Sequence, residues 1–258
     1  MAAITALNAG YFSAEAYDPI GDTNLGSALT GWTELTALAG ATDASGRNVA
    51  TNSTDIANQY RVFVNTESHQ IVFAFKGSNH AENWWSDIAN SGATAYTGAP
   101  DNVNGIREQA NVAYAALQNI GENPQYAQYA GYQVVTVGHS LGGGMAQSFA
   151  LERGLDGFGV NSLPISDQVR DELAADGKTV ASYSHTFIDT YVKGDIARTF
   201  YSTRDLLGGG DYLDANPTYL ESNYLAAGLG MIMPTVQQIN SYIAANDDEY
   251  GYLRVARS

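Results

Sequence analysis

The chain has 258 residues, of which 45% are hydrophobic and 15% charged, a composition typical of a folded globular protein and long enough for one large α/β domain. Its 12 Lys and Arg residues against 27 Asp and Glu residues leave a formal net charge of −15, which argues against nucleic acid as a partner and against electrostatic docking on anionic membranes. The absence of cysteine excludes disulfides, a thiolate nucleophile and thiolate metal sites.

Targeting signals are not visible in the sequence. The N-terminal segment lacks the basic and continuously apolar stretches of a secretory signal peptide. No apolar run reaches the roughly 18 residues that a helix needs to cross a bilayer. Acidity without cysteine favours a protein exported by a bacterium over a cytoplasmic one, although it fits both, and a mature secreted form would look the same. The cellular location therefore stays open.

Hydrophobic periodicity predicts helices and strands in alternation. Residues 1–20 are predicted as an amphipathic helix that ends before Pro19, and the next forty are predicted as loops with one short strand or turn. The later predicted elements are strands at 60–65, 70–76, 134–137, 157–162 and 186–192, helices at 81–88, 106–120, 143–151 and 166–175, a flexible loop at 205–216, and two C-terminal helices. This alternation implies a mostly parallel sheet, with one antiparallel hairpin at the turn 66–69.

The predicted helix at 106–120 has a clearer pattern than the one at 81–88. Val112, Ala116 and Ile120 recur at four-residue spacing and are expected on one face of the helix, and Gly121 provides a stop signal.

The strongest functional signal lies at residues 133–150. An apolar strand at 134–137 is followed by the pentapeptide G-H-S-L-G and then by a helix, and G-x-S-x-G in that context is a nucleophile elbow. Both glycines are needed because side chains there would collide where strand and helix pass. The elbow predicts Ser140 as the nucleophile, with its hydroxyl facing outward at the carboxyl end of the sheet. The amide of Leu141 is then aimed at the developing oxyanion. An accidental pentapeptide is the alternative.

A second oxyanion donor is predicted directly after the strand at 70–76, which ends at the same edge of the sheet. Gly77 lets the backbone turn there, and Ser78 has both an amide and a hydroxyl to donate. Taken alone, this segment is equally consistent with an ordinary turn at the end of a strand.

Three blocks of sequence resemble the class 3 (fungal-type) lipases, which have the α/β-hydrolase fold. Residues 71–88 are similar to that family's strand, its [RK]-G-[TS] oxyanion turn and a lid with an E-N-W motif. Residues 134–150 are similar to its elbow, and residues 187–196 resemble the strand that ends at its catalytic aspartate. Order and spacing agree from 71 to 196, whereas the first 60 residues and the tail match no pattern that can be named.

The resemblance implies roles for individual residues. Ser78 and Leu141 are implied as oxyanion donors, Asp195 as the acid of the triad, and residues 81–88 as a lid. Asp195 also follows an apolar strand, at the edge of the sheet where active sites collect. Its competitor Asp189 lies in the middle of that strand and is expected to be buried behind the site.

The lid also has a physical argument. Trp84 and Trp85 are adjacent in a short predicted helix and are difficult to bury together in a small domain. An exposed tryptophan pair above a serine site suits transient contact with a lipid interface. Packing of both rings into the core is the alternative.

The histidine base departs from the family pattern. In this fold the histidine follows the acid along the chain, and no histidine follows position 185. His80, in the lid hinge beside Ser78, is a candidate substitute base. The other hypothesis is that the family's histidine has been replaced, naturally or by engineering. The replaced position is then Asn223 or lies in the tail around Tyr252. Asparagine is not a base at neutral pH, so such a site would be formed but would turn over slowly.

The other three histidines are not expected to act as the base. His139 lies inside the elbow, where members of the family commonly carry a non-catalytic histidine. His69 is in the predicted hairpin turn, and His185 comes ten residues before Asp195. Both are therefore expected at the opposite edge of the sheet.

Other chemistries have little support. The sequence contains no H-E-x-x-H, P-loop, dinucleotide-binding or C-x-x-C motif, so no metal or cofactor is expected. Asp205, Asp211 and Asp214 lie in a glycine-bearing loop but lack the spacing of an EF-hand, and a solvated acidic loop is the favoured interpretation.

The sequence thus predicts a single α/β-hydrolase domain over residues 1–258 and two competing functions. The first is a carboxylic ester hydrolase of lipase or phospholipase type that works through an acyl-enzyme at Ser140. The alternative is a lipase-fold domain without turnover that binds lipid or a protein partner. The missing histidine supports the alternative, and the intact elbow supports the first.

Overall fold

Strands and helices alternate along the chain in the computed structural model, which describes residues 4, 6–18, 21, 25, 29–38, 60–77, 100–119, 121–192, 210–211, 213 and 218–220. The strands are β1 (Thr33–Glu34), β2 (Tyr60–Asn65), β3 (Gln70–Phe75), β4 (Gln133–His139), β5 (Asp156–Val160), β6 (Ile165–Ser166), β7 (Phe187–Val192), β8 (Gly210–Asp211) and β9 (Thr218–Leu220). The α-helices are α1 (Ala6–Glu15), α2 (Pro100–Gln118), α3 (Leu141–Arg153) and α4 (Asp167–Ala175), with 3-10 turns at Pro124–Tyr129 and Val180–Ser182.

Seven of these strands form one mixed sheet in the order β1-β2-β3-β4-β5-β7-β9. Strands β1, β2 and β3 pair antiparallel, and every pairing from β3 to β9 is parallel. The predicted hairpin between β2 and β3 and the mostly parallel sheet are thereby confirmed. Because the parallel strands all end on one edge, residues that follow them are brought together there.

The strands at the centre of the sheet are apolar because both of their faces are covered. Every residue of β3 is buried, and so are residues 134–138 of β4. One face packs against α2 and α3, where Phe149 of α3 contacts the rings of Phe73 and Phe75. The other face packs against α1, where Phe12 contacts Phe63. This three-layer arrangement fixes the sheet edge on which the site lies.

Several elements differ from the predictions. Strand β5 ends at Val160 instead of 162, because Asn161 has a φ of 46°, which no strand can continue. Part of the predicted loop at 205–216 is strand β8, which pairs antiparallel with β6. Strand β9 pairs with the end of β7 and was not predicted, since three residues carry too little periodicity to be noticed.

The helix predicted at 106–120 is longer in the structure. Helix α2 begins at Pro100, and Val112 is 67% exposed. Among the residues of α2 whose side chains are described, Ala110, Ala113 and Leu117 are buried, and they lie at the i, i+3 and i+7 positions of one face. The buried face therefore carries a weaker hydrophobic signal than Val112 does.

A buried arginine joins α1 to the sheet. The Arg61 guanidinium on β2 is fully buried and donates through Nε and Nη2 to the two carboxylate oxygens of Glu34, at 3.0 and 2.7 Å. Its Nη1 donates to the Glu15 carbonyl at 2.7 Å, at the last residue of α1, and lies 3.5 Å from the Glu15 carboxylate. Arg61 therefore fixes the position at which α1 ends.

Within the part of the chain that the structure describes, the search for a helix long and apolar enough to cross a bilayer finds none.

Replacing Arg61 with Met should cost about 3–5 kcal/mol of unfolding free energy, because it leaves two carboxylates buried without their cation. Urea unfolding monitored by circular dichroism measures the change. Arg170→Met is the matched control, because Arg170 pairs with Asp171, whose side chain is 72% exposed, and the cost there should stay below about 1 kcal/mol. Equal costs for the two variants would contradict this interpretation of Arg61.

Candidate active site

Ser140 occupies the junction between a strand and a helix. Strand β4 ends at His139 and α3 begins at Leu141, so Ser140 is the single residue that reverses the chain. Its backbone has φ 56° and ψ −124°, a conformation that costs a residue with a side chain about 1–3 kcal/mol. Such strain at one serine between a buried strand and a helix is the geometry that the G-x-S-x-G pattern predicts.

The glycines on either side of Ser140 are required by close backbone contacts. A Cβ at Gly138 would collide with the carbonyl group of Gly142. A Cβ at Gly142 would meet the backbone of Phe75 and lie 2.7 Å from the carbonyl carbon of Lys76. The end of β3, the end of β4 and the start of α3 therefore meet without any side chain between them.

Backbone hydrogen bonds fix the strained residue from both sides. The Ser140 amide donates to the Val160 carbonyl of β5 at 3.1 Å. The Ser140 carbonyl accepts from the amides of Gly143 at 2.9 Å, Gly144 at 3.2 Å and Leu163 at 2.9 Å. Leu141 is the first residue of α3, and amides in the first turn of a helix have no partner within that helix. Such an amide is free to donate to an anion beside Ser140.

Ser140 is 1% exposed, so the expectation of an outward-facing hydroxyl does not hold in this conformation. Part of the cover is Gly77, whose Cβ position lies 3.2 Å from the Ser140 Cβ and collides with the His139 carbonyl. A substrate can reach Ser140 only after the groups that cover it have moved.

Gly77 brings the predicted oxyanion turn to the elbow. It follows β3, and Phe75 of that strand pairs with Gly138 of β4. The contact with Ser140 therefore places the segment that leads to residue 78 at the same edge as the elbow. Ser78 itself lies outside the described residues. Lys76 is buried, and burial lowers the pKa of its amine.

His139 is bound to the end of α1. Its Nδ1 lies 2.7 Å from the hydroxyl of Tyr17, and its buried Nε2 has no hydrogen-bond partner among the described residues. Burial lowers the pKa of His139 to about 4 and raises the pKa of Tyr17, so both are neutral at pH 7. The sequence did not predict this contact, because nothing in the pattern of α1 relates Tyr17 to the elbow.

The other two described histidines lie at the far edge of the sheet. His69 immediately precedes β3, and its carbonyl accepts from the Gln133 amide at the start of β4, at 3.0 Å. His185 comes just before β7, and its Nδ1 is 3.8 Å from the carboxylate of Asp156, at the start of β5. These are the amino ends of the strands, whereas Ser140 lies at the carboxyl end, so neither ring can serve Ser140 in this arrangement.

Asp189 is fully buried in the middle of β7, where it pairs with Gly159. Its carboxylate accepts a hydrogen bond of 2.5 Å from the Ser162 hydroxyl. A Cβ at Gly143 in the first turn of α3 would lie 2.6 Å from the Cβ of Ser162, so this pair packs beneath the elbow helix. It supports the loop after β5, whose Leu163 amide bonds to Ser140.

The remaining predicted site residues lie outside the described residues. These are the acid, the lid tryptophans, the candidate base and the candidate site of histidine replacement: Asp195, Trp84, Trp85, His80 and Asn223. Among the residues that are described, no group of three or more histidine, aspartate or glutamate side chains could hold a metal ion.

A family model described as a Tle-like phospholipase domain matches residues 9–240. The chain belongs to this Tle-like phospholipase family. The match includes the elbow and both outermost strands of the central sheet, β1 and β9. The description of the family is phospholipase-like, which supports an ester hydrolase at the level of the family. Among functionally curated proteins, none is significantly similar to the sequence.

Solved structures similar to this Tle-like phospholipase domain are fungal lipases. A deletion mutant of the Rhizomucor miehei lipase propeptide complex has a TM-score of 0.52 at 16% identity, with 84% of this chain and 66% of that chain covered. The native complex has 0.49 at 16% identity, with 74% and 62% covered. A triacylglycerol lipase from Penicillium expansum has 0.49 at 18% identity, with 83% and 77% covered. The chain therefore spans less than two thirds of the Rhizomucor chains. The likeness to the deletion mutant confirms the predicted α/β-hydrolase fold, and the family match confirms the predicted relation to lipases and phospholipases.

Gly142→Ala should prevent the elbow from closing, because the added methyl group meets backbone that cannot move aside. We expect a loss of about 3 kcal/mol in unfolding free energy, at the upper end for overpacking, measured by urea unfolding. Gly121→Ala is the matched control, since the nearest atom to its Cβ is a side-chain oxygen at 3.7 Å. A Gly142→Ala protein as stable as this control would show that the glycine is not required.

Burial of neutral His139 should make stability depend on pH. Below the ordinary histidine pKa of 6.5, the unfolded chain binds a proton that the folded chain refuses until about pH 4. Stability is therefore unaffected by this residue above pH 6.5 and falls by up to about 3 kcal/mol as the pH drops to 4.

The measurement is urea unfolding at pH 7, 5.5 and 4.5 for the wild type and for His139→Gln. The variant should lose this part of the pH slope, while His69→Gln, at an exposed position, should keep it. An identical slope in the wild type and in His139→Gln would contradict the buried neutral ring.

Proposed function

We propose that this protein hydrolyses carboxylic esters of lipids, an acylglycerol or a phospholipid, through an acyl-enzyme on Ser140, and that residues 1–258 act as one domain. The observation that carries the proposal is the strained backbone of Ser140 at the junction of β4 and α3. Strain of this kind persists only where the surrounding structure enforces it, and such positions cluster at active sites. Membership of a phospholipase-like family supports the same chemistry.

The proposed reaction has two halves. The Ser140 oxygen attacks the ester carbonyl carbon while a base removes its proton, and the carbonyl oxygen becomes an oxyanion. The Leu141 amide and the Ser78 amide donate to that oxyanion, and the proton then passes to the departing alcohol. Water repeats the attack on the acyl-enzyme, releases the fatty acid and restores Ser140. Asp195 orients the base in this scheme.

Access to Ser140 is the first requirement of the proposal, because the residue is 1% exposed. We assign the opening movement to the segment 81–88, in which Trp84 and Trp85 would contact a lipid interface. Aromatic rings with a polar edge suit the boundary between lipid and water. Contact through these rings would not depend on basic residues, of which this chain has 12 against 27 acidic ones.

A second candidate function is a lipase-fold domain that binds lipid or a protein partner without turnover. It is favoured by the positions of the described histidines. His69 and His185 lie at the wrong edge of the sheet, and the ring of His139 is bound to Tyr17. A base must then come from His80, or else the family's histidine has been replaced, for which Asn223 is our candidate position.

Ser140→Ala should abolish hydrolysis of a short-chain p-nitrophenyl ester, with a loss of at least about 10³-fold in kcat, because no other group can form the acyl-enzyme. Mass spectrometry after reaction with a fluorophosphonate should find the label on Ser140 of the wild type and on no residue of the variant. Ser148→Ala, about two turns further along α3, is the matched control and should keep both signals.

The outcomes separate the candidates. Labelling with steady turnover that His80→Ala abolishes identifies His80 as the base. A site that has lost its histidine would be labelled and would give a burst of acylation without steady turnover. The Asn223→His variant would then gain turnover. Neither labelling nor turnover in the wild type, tested with phospholipid vesicles as well as with the soluble ester, would refute the hydrolase and leave the binding domain.

A further inference from the structure

The hydroxyl of Tyr17 joins two segments of the site that are far apart in the sequence. It lies 2.7 Å from Nδ1 of His139, the residue before Ser140, and it accepts a hydrogen bond from the backbone of Gly77, the residue before Ser78. A Cβ at Gly77 would collide with this hydroxyl. One side chain from the turn after α1 therefore touches both the elbow and Gly77, which leads into the predicted oxyanion turn.

The protons of this contact can be assigned. The Tyr17 oxygen accepts from the Gly77 amide, so its own single proton is available to donate. His139 is neutral at pH 7, since burial lowers its pKa to about 4, and Nδ1 is then free to accept that proton. Donation from Tyr17 to Nδ1 requires the tautomer in which the His139 proton is on Nε2. The chain of donors runs from the Gly77 amide through Tyr17 to His139.

Tyr17 is itself held in place. Its amide donates to the Ala14 carbonyl at 3.0 Å, in the turn that ends α1. Two residues earlier, the Glu15 carbonyl accepts from the fully buried Arg61 at 2.7 Å. The Tyr17 and His139 rings are 5.8 Å apart between centroids, which leaves little freedom for either. The hydroxyl thus has a defined position relative to β2, β3 and β4.

We propose that Tyr17 is a positioning residue for the oxyanion site, and this inference rests on the proposed function at Ser140. Two segments meet beside Ser140, the elbow with the Leu141 amide and the residues after β3 that end at Gly77, where an added Cβ would lie 3.2 Å from the Ser140 Cβ. The position of the elbow depends on how the segment containing Gly77 packs against the segment containing His139. Tyr17 fixes that packing by contacting both segments, without touching the substrate.

Removal of the hydroxyl in Tyr17→Phe leaves the ring and its packing but releases the Gly77 amide and the His139 ring from each other. Deleting one oxyanion donor outright lowers kcat by about 10²–10³-fold, so a displaced donor should lower it by about 10–100-fold, with KM changed less than about twofold. The loss falls on kcat because the oxyanion forms only in the transition state.

The experiment compares wild type, Tyr17→Phe and Tyr11→Phe on a short-chain p-nitrophenyl ester. Tyr11→Phe deletes the same atom from α1 at a partly exposed position and should keep wild-type kcat. Titration of Ser140 with a fluorophosphonate counts the competent sites, so that kcat is expressed per labelled serine. A role in stability alone would reduce the number of titratable sites and leave the kcat of each one unchanged.

The nitrogen resonances of His139 give a second measurement that does not need the variant to fold. At pH 7 the wild-type protein should show a proton on Nε2 and a hydrogen-bonded, unprotonated Nδ1, with a titration midpoint near 4. A proton on Nδ1 would overturn the proposal, and so would wild-type kcat per site in Tyr17→Phe. A wild-type protein with neither labelling nor turnover would instead refute the proposed hydrolase activity. That result differs from both outcomes that would overturn the role of Tyr17.

Discussion

The site depends on a backbone contact that no side chain could enter. The end of β3, the end of β4 and the first turn of α3 meet at Gly138 and Gly142, and only there can the chain reverse within the single residue Ser140. The strain at that residue, about 1–3 kcal/mol, is offset by the hydrogen bonds that its amide and carbonyl make to neighbouring segments. The proposed chemistry depends on this junction, because the junction fixes the position of the Ser140 hydroxyl oxygen.

A second layer of support reaches the junction from the N-terminal part of the chain. Arg61 fixes the end of α1, and the turn beyond it carries Tyr17 to the elbow. Arg61 is one of only 12 basic residues in the chain, and it is buried together with two carboxylates. In this acidic protein, the buried cation fixes the position of α1 and does not offset negative charge at the surface.

The sequence was sufficient for the parts of the fold that follow local rules. Strands β2 and β3, the turn at 66–69 and the elbow itself each carry a periodic or motif signal, and each lies where it was predicted. What could not be predicted depends on long-range contacts. The burial of Ser140, the bond between Tyr17 and His139, and the addition of β9 to the sheet all depend on residues distant in sequence. Val112 shows the limit within one helix, since a strongly hydrophobic side chain is exposed while two alanines of the same helix are buried.

The parallel pairing of β3 with β4 joins residues 63 positions apart, as the bond between Gln70 and Gln133 shows. Closing so long a loop is among the slower events of folding, because its entropic cost precedes any stabilising contact. Gly77 reaches Ser140 only when this closure is complete. A nascent or partly assembled chain therefore lacks this junction, and the nucleophile that we propose is formed only in the finished molecule.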